Sequence, residues 1–223
     1  KIHKKNTSVV GGFIILILIF NIYFYEIYIA EFNINLFSIY FLFFLFFIIG
    51  LLDDYLNISP LTRIMLYSLI CYIFLQLNND LIIEKFYSES FDQYVYTKPI
   101  SIFFTIFCFV FLQNILNMFD GINGSLSTYL LTVLFILLFI TFSLFKLCLF
   151  LIIISILYLN FKNKIFLGNN GSSIISSIIG VLLISIHKNN PELLSAEKIL
   201  ILFFIPLIDL SRLFIIRILN NKS

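Results

Sequence analysis

Eight long apolar runs, separated by shorter polar stretches, set the pattern of this chain. They cover roughly residues 11–30, 36–52, 61–77, 100–118, 126–144, 147–161, 173–187 and 199–219. A helix crosses a bilayer with about 20 mostly apolar residues, within a range of about 17–25. The sixth and seventh runs are short by that measure. Lipid cannot satisfy open backbone groups, and no stretch alternates as a barrel strand would, so helices are expected. The pattern predicts an all-α, polytopic membrane bundle of about eight transmembrane helices, forming one domain over residues 1–223. The longest polar loop, 78–99, carries Asp80, Glu84, Glu89 and Asp92.

Composition sharpens this picture. Hydrophobic residues make up 61% of the chain, charged residues 12%, and the mean hydropathy is +1.07. A water-soluble domain has about 45–50% apolar and about 25% charged residues. Lipid must therefore be the solvent for much of this surface. The net charge of +2 gives no support for nucleic-acid binding. Cys71, Cys108 and Cys148 lie inside apolar runs, spaced for neither a zinc site nor a disulfide framework. They read as small packing residues. The opening Lys1-Ile-His-Lys-Lys-Asn-Thr7 is not a signal peptide, because the run behind it is long and lacks a small-residue cleavage site. The absence of an initiator Met, and an end at Ser223 just after an apolar run, read as cuts in a larger protein.

If all eight runs span, nine of the 14 basic residues fall on one side and five on the other. The nine include Lys4, Arg63, Lys162 and Arg212, and that side is expected to be cytoplasmic. The same parity collects four polar clusters there. Ionisable groups at membrane depth are costly and usually functional. The first cluster is Gly50-Leu-Leu-Asp53-Asp54, followed by Arg63. Carboxylates at a helix C-terminus oppose the macrodipole, so the placement is not incidental. Paired Asp residues can hold Mg²⁺ or keep a base ready; a solvated helix end offset by Arg63 is the alternative. The second is Asn114-Ile-Leu-Asn117-Met-Phe-Asp120-Gly121-Ile-Asn123-Gly124. Its amides share one helix face and suit a polar ligand such as a nucleobase, with ordinary turn chemistry as the alternative. The third, Phe166-Leu-Gly168-Asn169-Asn170-Gly171-Ser172-Ser173, precedes a helix and reads as an anion site or a capping loop. In the fourth, Asp209 and Arg212 form an i,i+3 pair, a neutralising arrangement that leaves a phosphate-facing arginine as the other option.

In this order the clusters resemble the polyprenyl-phosphate N-acetylhexosamine-1-phosphate transferase family, over essentially the whole chain. The resemblance implies transfer of a sugar-1-phosphate from a UDP-sugar to undecaprenyl phosphate, with release of UMP and a requirement for Mg²⁺. It implies catalytic roles for Asp53, Asp54 and Asp120, and metal ligation by Asp53, Asp54 and Asn169. Substrate contacts would come from Asn114, Asn117, Gly121, Asn123, Arg63, Gly168, Gly171, Ser172 and Arg212. A bacterial inner-membrane location with the site facing the cytoplasm follows, in lipid-linked envelope polysaccharide synthesis such as that of O-antigen. Three departures stand out. Asn169 replaces an Asp usual in the family, Asn123 replaces an Asp of some members, and the His-rich loop expected beyond Lys222 is absent. Two other readings stay open: a transporter, whose carboxylates would sit on both sides of the midplane, and a catalytically lapsed relative that binds lipid phosphate. Apolar helix faces can meet lipid or a second copy, so a homodimer is also open.

Overall fold

A computed structural model describes residues 10–30, 33–120 and 124–219. Helices α1 (Gly11–Ala30), α2 (Ile34–Leu56) and α3 (Pro60–Leu77) come first. A 3-10 turn and the antiparallel strands β1 (Lys85–Ser88) and β2 (Gln93–Tyr96) follow. Then come α4 (Ser101–Phe119), α5 (Ser125–Ile140), α6 (Leu144–Phe161), α7 (Gly168–Asn189), α8 (Ala196–Leu202) and α9 (Phe204–Leu219). Six of these, α1 to α4, α6 and α7, are long and apolar enough to cross a membrane, and α5 is a shorter apolar helix. The fold is an all-α polytopic bundle.

Local chemistry sets the helix ends. Ser59 caps α3 by accepting from the Thr62 amide, with Pro60 at the first helical position, where a missing N–H costs nothing. Asn57 ends α2 in the left-handed region at φ 50, its N–H returning to the Asp53 carbonyl. The expected eighth crossing is broken at Phe203. Pro206 has no N–H, so it cannot serve the Leu202 carbonyl one turn earlier. The Tyr129 hydroxyl donates to that carbonyl at 2.6 Å instead. One apolar run thus becomes the two helices α8 and α9.

Helix α7 is the axis of the bundle, packed against α1, α2 and α4. It can be buried because its surface is small. Gly168, Gly171, Ser172, Ser173, Ser176, Ser177 and Gly180 let neighbouring backbones close in. A Cβ on Gly50 of α2 would stand 2.7 Å from the Asn170 Cα. One on Gly12 of α1 would stand 2.8 Å from the Gly171 amide nitrogen. Buried serine hydroxyls are satisfied locally, Ser176 on the Ser173 carbonyl and Ser177 on that of Ile174.

The far end of the bundle differs from expectation. The polar loop 78–99 contains the β1–β2 hairpin, docked on α7 and α8. The Tyr87 amide donates to His187 Nε2 at 3.2 Å, while His187 Nδ1 meets the Leu194 carbonyl at 2.7 Å. Glu197 accepts from the Ser88 hydroxyl and from the Glu89 and Ser90 amides. The Ser88 hydroxyl bond, with the backbone amides, holds the Glu197 carboxyl down at about 2.

The glycine seam yields a direct expectation. Gly50→Ala forces α2 away from the α7 backbone and lowers stability by about 1–3 kcal/mol, the usual scale for overpacking. Leu52→Ala, at an exposed position on the same helix, costs less. Reversible unfolding in mixed micelles measures both, and an unchanged Gly50→Ala would contradict the close approach.

Candidate functional site

The ends of five helices converge opposite the hairpin. Asp53 and Asp54 come from the last turn of α2, Arg63 from the first turn of α3, and Asp120 from the cap of α4. The α7 N-terminus and the start of α1 complete the group, with the Gly11 amide bonded to the Phe166 carbonyl at 3.1 Å.

Asp54 explains why carboxylates end a helix against its dipole. Its Oδ1 accepts from the Asn169 amide and its Oδ2 from the Asn170 amide, each at 3.1 Å. The carboxylate therefore serves the positive end of α7, where free amides point outward. The Gly168 amide bonds Asp120. Gly168 sits at φ 71, a conformation glycine adopts without strain. Three successive amides thus form an anion-binding nest for two carboxylates of this chain. The amides of the glycine-rich loop are served here by carboxylates of the chain itself.

Asp53 points elsewhere. Its Oδ2 pairs with Arg63 Nη1 at 2.7 Å, both side chains being largely buried. Arg63 Nε is buried and has no hydrogen-bond partner among the described residues. The same holds for Asn117 Nδ2. Two unserved donors near carboxylates suit a ligand rich in acceptor oxygens.

The remaining expected residues are distributed as follows. Asn114 Nδ2 donates to the Val110 carbonyl of its own helix at 2.9 Å. The Ser172 hydroxyl turns to the Asn169 carbonyl at 3.2 Å. Gly171 packs on Leu167 and the start of α1. Arg212 pairs with Asp209 at 2.6 Å on the exposed face of α9 and, among the described residues, bonds none of the other clusters. Gly121 and Asn123 lie outside the described residues. Beneath the carboxylates is a buried trio of which only Ser173 stood in a polar cluster of the sequence. The Tyr67 hydroxyl and Ser173 Oγ are 2.6 Å apart, and Gln113 Nε2 donates to Ser173 Oγ at 3.4 Å. Gln113 was visible as a polar residue in an apolar run, whereas Tyr67 resembled the many aromatics around it.

Burial, with the negative charge of Asp54 added, pushes the Asp120 carboxyl up to about 7, against the lowering effect of the Gly168 amide. Among the described residues no three His, Cys, Asp or Glu side chains form a metal cage. Mg²⁺ needs none, since it is held by one or two carboxylates and keeps several waters. The carboxylates of Asp54 and Asp120, set on adjacent amides of α7, are hard oxygen donors of that kind.

These features define a multi-pass membrane protein with carboxylates, an arginine and a helix N-terminus gathered at one end. Residues 36–187 match Glycosyl transferase family 4. That is well over half of the chain, which belongs to this family and to its membrane transferases. The matched stretch runs from α2 to α7 and so includes every element of the nest, while Arg212 lies outside it. No curated protein matches the chain.

Two expectations follow from the geometry. Arg63→Met leaves Asp53 buried without its partner and destabilises by about 3–5 kcal/mol, whereas Arg63→Met with Asp53→Asn recovers much of the loss. Thermal unfolding of both variants decides this, and equal losses would contradict the pairing. Asp120 has a raised folded-state affinity, so it is protonated below about pH 7 and ionised above. The folded state then binds the extra proton between the unfolded value and about 7, and its contribution to stability falls as pH rises through that window. Infrared difference spectra should show a protonated-carboxyl band vanishing as pH rises through 7. The band should be absent in Asp120→Asn and titrate lower in Asp54→Asn; an identical titration in both variants and the parent would contradict it.

Proposed function

We propose that this chain transfers a sugar-1-phosphate from a UDP-sugar to undecaprenyl phosphate, releasing UMP, with Mg²⁺. The sugar is taken to be an N-acetylhexosamine. The observation that carries the reading is the nest: Asp54 and Asp120 fixed on three successive α7 amides, beside the Asp53–Arg63 pair. In this reading an oxygen of the lipid phosphate attacks the phosphorus attached to the sugar, and the bond to UMP breaks. Bound Mg²⁺ would supply charge neutralisation for the phosphate oxygens. Asp53, Asp54 and Asn169 are the residues that would hold it.

The chain's own groups divide the remaining work. Asp53 is committed to Arg63, and Asp54 to two amides. Asp120 has a proton affinity near neutrality and is the group suited to take the proton of the lipid phosphate. The Arg63 Nε and Asn117 Nδ2 donors would meet substrate oxygens, the latter on the nucleotide. The helix ends bring a water-soluble donor to a membrane-bound acceptor at one interface. If all eight apolar runs cross, nine of the 14 basic residues fall on that side, which supports a cytoplasmic orientation; the bacterial inner membrane is the location that the proposed reaction implies.

Asn169 favours a second reading, a lapsed relative that binds lipid phosphate without turnover. An Asn carbonyl is a hard donor without charge. Membranes with the full-length protein should release UMP from a UDP-N-acetylhexosamine only when undecaprenyl phosphate and Mg²⁺ are both present. Release without lipid, or none, would remove the transferase reading. Asn169→Asp should lower the Mg²⁺ requirement or raise the rate, and no change in either would take Asn169 out of the ligand set.

A further inference from the structure

A cavity of about 800 Å³ lies between α4, α7 and the α8–α9 break, under the hairpin and away from the carboxylate nest. That volume falls within the roughly 300–1,000 Å³ of small-molecule sites. On α4 its wall is the stripe Phe104, Cys108, Leu112 and Ile115. At 1.5 Å per residue this stripe is about 16 Å long. One leaflet of a bilayer has a hydrocarbon thickness of about 15 Å, half of the roughly 30 Å core. Opposite it stand Gly180, Leu183 and Ile184 of α7, where the absence of a side chain on Gly180 leaves the Phe109 ring against the helix. The wall is apolar over one leaflet's depth and ends short of Asp120.

The rim is different in kind. At the hairpin end the cavity is bordered by Lys85 and Lys188, and also by Asp80 and Glu84. Both lysines and both carboxylates are exposed; Lys188 Nζ also donates to the Asp80 backbone carbonyl, and Glu84 pairs with Lys98 at 3.0 Å. His187 also lies there but is engaged by the Tyr87 amide and the Leu194 carbonyl. Lys85 lies over the Tyr94 ring, 4.6 Å from its centre, which holds the ammonium at the mouth. Charges of both signs therefore stand at the mouth of an apolar slot about as deep as one leaflet.

We propose that this cavity binds a glycerophospholipid of the hairpin-side leaflet whose head carries both a phosphate and an ammonium. One acyl chain lies along the α4 stripe, the phosphate meets Lys85 and Lys188, and the ammonium meets Asp80 and Glu84. The proposed headgroup sits at the end of α4 opposite the carboxylate nest. Its binding does not depend on turnover.

Full-length protein is placed in nanodiscs of equal phosphatidylethanolamine and phosphatidylglycerol, and the retained lipid is read by native mass spectrometry. Phosphatidylethanolamine is expected to be retained over phosphatidylglycerol by about tenfold. Cys108→Trp, which fills the slot, should abolish that retention. Lys85→Glu with Lys188→Glu, both at exposed positions, should reduce it about tenfold while unfolding midpoints stay put. Equal retention of the two lipids, retention of a polyprenyl lipid in this slot, or retention untouched by both sets of substitutions would overturn the proposal. So would an empty slot because a segment beyond residue 219 fills it.

Discussion

Charge at the N-terminus of α7 is the constraint on which the rest depends. A helix buried on most sides leaves its first amides without partners, and in a bilayer no bulk water reaches them. Here three of them are served by Asp120 and Asp54. Those carboxylates come from α4 and α2, so satisfying one helix end ties three helices into register. The tie works only because backbones approach closely, which Gly12, Gly50 and Gly171 allow. A structural necessity thus places acidic groups side by side at the membrane surface, where a phosphate chemistry would use them.

The arrangement is poised rather than fully neutral. Asp53 has a guanidinium partner, whereas Asp54 and Asp120 have only amides, and the Asp54 charge adds to the cost of ionising Asp120. Buried Arg63 and Asn117 donors without partners among the described residues add to this. Natural proteins carry such frustration mainly where a ligand resolves it. The far end of the bundle is settled by contrast, with Glu197 served by the hairpin and His187 held between the Tyr87 amide and the Leu194 carbonyl.

Much of the bundle was legible from the apolar runs, because the bilayer fixes both length and helicity. The runs at 11–30 and 61–77 match α1 and α3 closely. What failed depended on details that hydrophobicity does not encode. Pro206 lay inside a run apolar enough to span, and only its missing N–H broke the helix. The strands of the hairpin are four residues each, too short for alternation to rise above the surrounding charges. At the site, residue types and helix ends were readable, and the third cluster was read as an anion site or a capping loop, with nothing local to name the group on its amides. Its partner, Asp54, lies 115 residues from Asn169 in sequence, and no local pattern reports such a distance.

The central claim is that α7 opens on the carboxylates of its own chain. Magic-angle NMR on protein labelled with ¹³C at the Asp54 carboxyl and ¹⁵N at the Asn169 and Asn170 amides measures this directly. Strong dipolar dephasing from both nitrogens is expected, in keeping with N···O separations of 3.1 Å. No dephasing from either nitrogen would place Asp54 elsewhere and dissolve the nest.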